Sequence, residues 1–95
     1  MVRVSVDDIV LAESENTVVV EGNHYFPPAD VKLALFFPSD TTTVCPWKGT
    51  ASYYSVNING RNIQDVAWFY PATKEKAKNI EGYIAFYKNK VQITE

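Results

Sequence analysis

Residues 51–70 read ASYYSVNINGRNIQDVAWFY, and this stretch decides the fold. Ala51 to Val56 and Ile63 to Tyr70 are rich in aromatic and β-branched residues, which favour strands. Asn59-Gly60 lies between them, and a type I′ turn requires positive φ at both of its central positions. The stretch therefore predicts a β-hairpin.

The turn also predicts the register of this hairpin. With Asn59-Gly60 at the centre, Val56 faces Ile63, and a longer loop would change that pairing. The next predicted pairs along the hairpin are Tyr53 with Val66 and Ala51 with Trp68. Because side chains alternate across a strand, one face carries Ala51, Tyr53, Val66, Trp68 and Tyr70, and the other carries Tyr54, Val56, Ile63, Ala67 and Phe69.

Shorter strand signals precede the hairpin. Residues 2–6 alternate between valine and polar residues, as a half-buried strand does. Ile9 to Ala12 and Thr17 to Glu21 are predicted to pair across a turn at residues 13–16, because Asn and Ser favour turns. Residues 24–26 are expected to continue the sheet.

Prolines and glycines divide the rest of the chain. Pro27-Pro28 is predicted to end a strand before one helical turn at residues 29–31. Leu33 to Phe37 is compatible with helix or strand, and Pro38-Ser39-Asp40 is predicted to be a turn. The remaining predictions are a short helix over Lys74 to Asn79 with Thr73 as its N-cap, and closing strands at Tyr83 to Tyr87 and Val91 to Thr94.

The pattern as a whole predicts a single, mainly β domain over residues 1–95. About eight short strands with one or two helical turns favour an antiparallel sandwich or open barrel. The net charge of −2 gives no drive towards nucleic acid. No segment approaches the roughly 18 apolar residues of a membrane span. One cysteine cannot form an internal disulfide, so we expect a cytoplasmic protein. The sequence is compatible with either a monomer or a homodimer.

Residues 41–55, TTTVCPWKGTASYYS, concentrate the side chains most capable of chemistry. Cys45 is interpreted either as a nucleophile whose thiol is activated by Lys48 or as a small buried residue. Lys48 is either a surface lysine stacked on Trp47 or a residue that binds a carboxylate or other anion at a pocket mouth. Both residues are therefore candidate catalytic residues, and Lys48 is also a candidate ligand-binding residue.

The other candidates lie outside this segment or on the hairpin. Tyr53, Trp68 and Tyr70, together with Trp47, either belong to the core or line a ligand pocket. Glu21 is a candidate ligand-binding residue, and with His24 it could form an acid–base pair, the alternative being a structural histidine. One Cys and one His fall short of a zinc site, so we expect no metal and no cofactor.

Several of these segments resemble one family in the same order along the chain. The segments are residues 43–54 (TVCPWKGTASYY), 20–27 (VEGNHYFP), 67–71 (AWFYP) and 80–87 (IEGYIAFY). They resemble domain of unknown function 427, a family labelled nucleotidyltransferase-like. The resemblance implies a β-tent fold, in which two small antiparallel sheets pack at an angle.

The same resemblance bears on metal and activity. Related tent-like domains hold zinc through paired CxxC motifs, which this chain lacks, so the resemblance implies a zinc-free version. In such domains an aromatic cage between the sheets binds a small cyclic ligand, which the aromatic residues here could imitate. The sequence contains neither the clustered carboxylates nor the phosphate cradle of nucleotidyl transfer, so the motifs do not support that label.

Three functions are compatible with these observations. The leading hypothesis is a module that binds an unidentified small molecule in an aromatic-lined pocket between the sheets. The alternatives are a small enzyme centred on Cys45 and Lys48, and an adaptor that docks a protein partner on an exposed aromatic face.

Overall fold

The computed structural model describes residues 1–95 and is mainly β, as predicted. The strands are β1 (Val2–Val6), β2 (Ile9–Ser14), β3 (Val18–Val20), β4 (Asn23–Tyr25), β5 (Phe36–Cys45), β6 (Gly49–Ile58), β7 (Arg61–Phe69), β8 (Ile84–Phe86) and β9 (Gln92–Thr94). Three short 3₁₀ helices are η1 (Pro28–Asp30), η2 (Leu33–Leu35) and η3 (Glu75–Ile80). The strands form three small antiparallel sheets, with orders β2-β1-β9, β3-β4 and β5-β6-β7-β8. No helix is long and apolar enough to cross a membrane.

The hairpin of β6 and β7 confirms the predicted turn. Asn59 and Gly60 have φ of 53° and 82°, and Val56 pairs with Ile63. Beyond that pair, a bulge places residues 64–66 of β7 opposite the single residue Ser55. The Ser55 hydroxyl accepts the Asp65 backbone N–H at 2.9 Å, and Asp65 has a φ of 51°. The binary pattern of the sequence does not reveal such a bulge.

The bulge changes the register of the inner half of the hairpin. Tyr53 pairs with Trp68, so the predicted pairs of Tyr53 with Val66 and of Ala51 with Trp68 are wrong. The register moves by two residues, which leaves Tyr53 and Trp68 on one face because side chains alternate with a period of two.

Two groups of buried side chains lie on the two faces of the central sheet. The main core includes Val56, Ile63 and Ala67, with Tyr54 and Phe69 packed against it, as the alternation predicts. The second group, here called the tyrosine cluster, consists of Tyr25, Ala51, Tyr53, Tyr70, Ala77, Ile80 and Ala85. Trp68, Cys45 and Tyr87 pack against the tyrosine cluster. Val66 belongs to the main core, so its predicted face is wrong because of the bulge.

The N-terminal half forms two hairpins instead of the one predicted. β2 pairs with β1 and β3 pairs with β4, so the predicted hairpin over residues 9–21 is wrong. Asp7 and Asp8 have φ of 50° and 65°, and Glu21-Gly22 has φ of 54° and 79°. Both pairs therefore form two-residue turns with positive φ, the geometry that suits the strand twist.

Two further local predictions are wrong. Residues 38–40 lie inside β5, where the register is interrupted between Pro38 and Thr42, so they form an irregularity in a strand and not a turn. η3 begins at Glu75, and its N-cap position, Lys74, makes no side-chain capping bond. Thr73 is not the N-cap because its backbone N–H and its hydroxyl both donate to Glu81 Oε1, at 3.0 and 3.2 Å.

Residues 28–37 combine both structures that their sequence allows. η1 supplies the helical turn after the proline pair, and η2 covers residues 33–35 before β5 begins at Phe36. β8 and β9 lie within the two predicted closing strands. They belong to different sheets, because β8 pairs with β7 and β9 pairs with β1.

Candidate functional site

The turn between β5 and β6 positions the candidate site. Cys45 and Gly49 pair across the strands, and residues 46–48 form the turn between them. Gly49 has a φ of 128°, and a Cβ at this position would lie 2.9 Å from the backbone oxygen of Ala72. The Lys48 backbone oxygen accepts the Lys74 backbone N–H at 2.9 Å. The chain therefore needs glycine here so that residues 72–74 can pack against the turn.

The side chain of Lys48 lies inside the protein. Only 7% of it is exposed, whereas 56% of the side chain of its partner, Glu21, is exposed. The Lys48 ammonium donates a hydrogen bond to the Glu21 carboxylate. Its Nζ lies 4.9 Å from the centre of the Trp47 ring and 5.8 Å from that of Tyr70, so aromatic faces surround the charge.

The ion pair shifts both of its members towards the charged form. Burial alone would lower the pKa of Lys48, but the hydrogen bond to Glu21 and the nearby Tyr25 and Tyr70 raise it above its usual value. The hydrogen bond from Lys48 lowers the pKa of Glu21, and the side chain of Trp47 lowers it further by a smaller amount. The pair is therefore charged throughout the neutral range.

The structure separates the predicted pair of Glu21 and His24. Glu21 turns towards Lys48, whereas the two ring nitrogens of His24 lie 2.8 Å from Thr17 Oγ1 and 3.3 Å from Glu95 Oε2. Of the two interpretations, the acid–base pair is therefore wrong and the structural histidine fits these contacts, because Glu21 lies in the two-residue turn between β3 and β4 while His24 lies on β4 opposite Val19.

Cys45 lies beside the ion pair in a setting that favours its thiolate. Partial burial would raise the pKa of the thiol, but the backbone N–H groups of Trp47 and Lys48 and the charge of Lys48 lower it below its usual value. The thiol is partly exposed and unpaired. A thiolate in such a setting is more accessible to electrophiles than an ordinary buried cysteine.

The remaining predicted residues lie in the tyrosine cluster and are held by side-chain contacts. Trp68 Nε1 donates to the Tyr25 hydroxyl at 3.1 Å, with the two rings edge to face. The Tyr53 hydroxyl is hydrogen-bonded to the Tyr87 hydroxyl at 3.2 Å, and the two rings are stacked. Burial raises the pKa of Tyr70 and of Tyr87 to about 12. These rings pack against one another.

The sequence did not single out Tyr25, a member of this cluster, or Tyr87, which packs against it. Both lie in segments predicted as strands, and both are tyrosines, which combine an apolar ring with a polar tip. Only the pairing of distant strands brings them to Trp68 and Tyr53, so a local pattern could have flagged them only as aromatic residues.

The open depressions of the surface lie elsewhere. One of about 460 Å³ lies between Gly49, Thr50 and Ser52 of β6 and residues 71–74. The other, of about 290 Å³, is lined by residues 5–7, Arg61 and residues 89–92. None of the predicted site residues lines either depression. No three His, Cys, Asp or Glu side chains converge on a possible metal position.

The site thus joins an exposed carboxylate, a buried ammonium and a thiol, all contributed by two turns. The family model described as "Domain of unknown function (DUF427)" matches residues 1–95. The chain belongs to the DUF427 family. No curated protein matches the chain significantly. Membership of DUF427 confirms the resemblance of the segments around Cys45 and Trp68, and it assigns no activity to them.

Proposed function

We propose that this DUF427 domain is a small-molecule binding module in which the Lys48 ammonium anchors the ligand. The observation that supports the proposal is the burial of Lys48 beneath a mostly exposed carboxylate and an indole ring. Burying an ammonium is costly, and an apolar pair of similar volume is often at least as stable. Retaining a lysine at such a position is therefore better explained by ligand recognition than by stability.

The groups around Lys48 suit recognition of a polar end on an otherwise apolar molecule. Lys48 supplies a hydrogen-bond donor to a carbonyl or anionic group. Trp47, which is 37% exposed, offers an apolar face next to that donor, and the Cys45 thiol is close enough to interact with the Lys48 charge. Binding sites commonly combine such an apolar wall with a few polar groups that orient the ligand.

A thermal-shift screen against a metabolite library tests the proposal. The proteins are the unmodified chain, Lys48→Met, and Lys76→Met as a matched control, since Lys76 is an exposed lysine of η3. A ligand at 100 times its Kd adds roughly 2.7 kcal/mol of stability. We expect some ligand to stabilise the unmodified chain and Lys76→Met but not Lys48→Met. The proposal would be contradicted if every ligand that stabilises the unmodified chain stabilised both variants equally.

A second candidate function is a small enzyme that uses the Cys45 thiolate as its nucleophile. The feature in its favour is the partly exposed, unpaired Cys45 thiol near the Lys48 ammonium, whose charge and the neighbouring backbone N–H groups lower the pKa of the thiol. His24 cannot serve as its base in this arrangement, since Thr17 and Glu95 engage its ring nitrogens. Adding Cys45→Ser to the screen separates the two functions: a binding module keeps its ligand, whereas a ligand that depends on the thiol is lost.

A further inference from the structure

We propose, on the basis of the binding function above, that the ligand is an organic carboxylate and that the Glu21 side chain occupies the ligand's place until it is displaced. Glu21 is thus an internal competitor of the ligand. The proposal rests on four features of the site: its donors, the unequal exposure of the ion pair, the turn that carries Glu21, and the surrounding charge.

The donors around the Glu21 carboxylate match the needs of any carboxylate. The Lys48 ammonium donates to Oε1, and the Trp47 ring lies beside the same ammonium. An ammonium has three donors and no acceptor, so it binds an acceptor-only group best. Charge-assisted hydrogen bonds of this kind are stronger than those to a neutral carbonyl group.

The exposure of the pair shows from which side an exchange can occur. The ammonium is buried, whereas more than half of the Glu21 side chain is exposed. When the Glu21 side chain rotates into solvent, its carboxylate regains water, but the Lys48 ammonium stays in place without a partner. A buried unpaired charge is unfavourable, so the position left by Glu21 attracts another anion from solvent.

The segment that carries Glu21 is suited to such a movement. Glu21 lies in the two-residue turn between β3 and β4, and these strands of three residues each form a sheet of their own. The carboxylate leaves Lys48 by side-chain rotation alone, so the hydrogen bonds between β3 and β4 remain intact. Trp47, 37% exposed beside the same ammonium, is positioned to cover the apolar part of a ligand.

Two further lysines make an anion more favourable here than a neutral carbonyl compound. Lys88 Nζ donates to the backbone oxygen of Gly22 at 2.9 Å, and Lys74 Nζ donates to that of Pro46 at 2.6 Å. The two acceptors, Gly22 and Pro46, are the sequence neighbours of Glu21 and Trp47. The two lysine ammonium groups therefore place positive charge at both turns of the site. Such charge attracts anions over several ångströms. A carboxylate is the better match than phosphate, because a carboxylate is the group already held there.

Direct binding measurements with benzoate test the proposal, with benzamide and inorganic phosphate as the comparison probes. The proteins are the unmodified chain, Glu21→Gln, and the double variant Glu21→Gln with Lys48→Met. We expect benzoate to bind Glu21→Gln about tenfold more tightly than the unmodified chain, since no charge-assisted hydrogen bond must first be broken. Benzamide should gain nothing from the substitution, and the double variant should not bind benzoate.

A second variant guards against loss of the fold. Glu21→Asn suits the positive φ of 54° and is too short to occupy the same place, so it should show the same gain if Glu21→Gln unfolds. Equal benzoate affinity with and without Glu21 would overturn the proposal, as would an equal gain for benzamide or phosphate. If no benzoate binding is detected but a neutral metabolite binds in a Lys48-dependent way, the carboxylate proposal is wrong and the proposed binding function stands. If no ligand depends on Lys48, both fall.

Discussion

Replacing Gly49 by alanine should destabilise the domain more than the same change at any other glycine. Gly49 has a φ of 128°, where side chains are strained, and an added Cβ would lie 2.9 Å from the backbone oxygen of Ala72. That oxygen belongs to the backbone, so it can move away only if residues 72–74 shift. The shift would stretch the 2.9 Å hydrogen bond from the Lys74 backbone N–H to Lys48 O.

The expected magnitude follows from two contributions. A residue held in a strained backbone region costs on the order of 1–3 kcal/mol. Overpacking by one methyl group adds roughly 1–3 kcal/mol. Gly60→Ala is the matched control, because Gly60 also has a positive φ, of 82°, but an added Cβ meets nothing within 4 Å. The control should therefore lose only the strain contribution, about 1–2 kcal/mol.

Urea unfolding measures both variants on one scale. With an m-value of about 1–3 kcal/mol/M, a loss of about 2–6 kcal/mol lowers the midpoint of Gly49→Ala by on the order of 2 M. The Gly60→Ala midpoint should fall by less than half as much. Equal midpoints for the two variants would refute the reasoning, since the contact with Ala72 would then contribute nothing.

Three further predictions concern reactivity, pH and packing. Cys45 should be alkylated by iodoacetamide with a midpoint below the ordinary thiol pKa, and Lys48→Met should raise that midpoint; an unchanged midpoint would contradict the role of the ammonium. Thr73 and Lys78 lower the pKa of Glu81 to about 2, so this carboxylate stabilises the fold above its unfolded pKa, and the contribution is lost as pH falls to about 2. Urea unfolding across pH should therefore show Glu81→Gln less stable than the unmodified chain at pH 7 and equal to it near pH 2; a constant difference would contradict this. Phe26→Ala should cost about 3–5 kcal/mol, because Phe26 is fully buried against Phe86, whereas Phe37→Ala, at a position 40% exposed, should cost far less in the same assay.

The fold could be predicted from the sequence where the signals were local. The Asn59-Gly60 turn, the first strand and the two faces of the central hairpin all follow from turn chemistry and alternation. The errors arose where distant groups decide the structure. The bulge at Asp65 depends on a hydroxyl from the facing strand, and the N-terminal hairpins depend on which strands meet in the folded chain. Neither is encoded in a window of a few residues.

The candidate site shows the same division. Cys45, Trp47 and Lys48 could be grouped from the sequence because one turn holds all three. Glu21 could not be assigned to Lys48, since 27 positions separate them and the contact requires the turn between β3 and β4 to approach the turn between β5 and β6. The only partner that the sequence suggested for Glu21 was its near neighbour His24, as the alternative to a structural histidine. Proximity in sequence is a poor guide within a tight turn, where side chains diverge.

The two faces of the central sheet differ in chemistry, and that difference supports the proposed placement of the binding site. The apolar residues of the main core are aliphatic and phenylalanine side chains, whose burial is the simplest way to stabilise a small domain. The tyrosine cluster contains phenol groups and lies next to the Cys45 thiol and the Lys48 ammonium. Every buried side-chain nitrogen and oxygen of the protein has a hydrogen-bond partner. Buried polar groups whose hydrogen bonds are all made to one another favour a single rigid arrangement. The contact between Lys48 and Glu21 is different, because it joins a buried charge to an exposed one. A molecule from solvent can take over one half of that pair without disturbing the core, and this is why we place recognition there and not among the better-packed tyrosines.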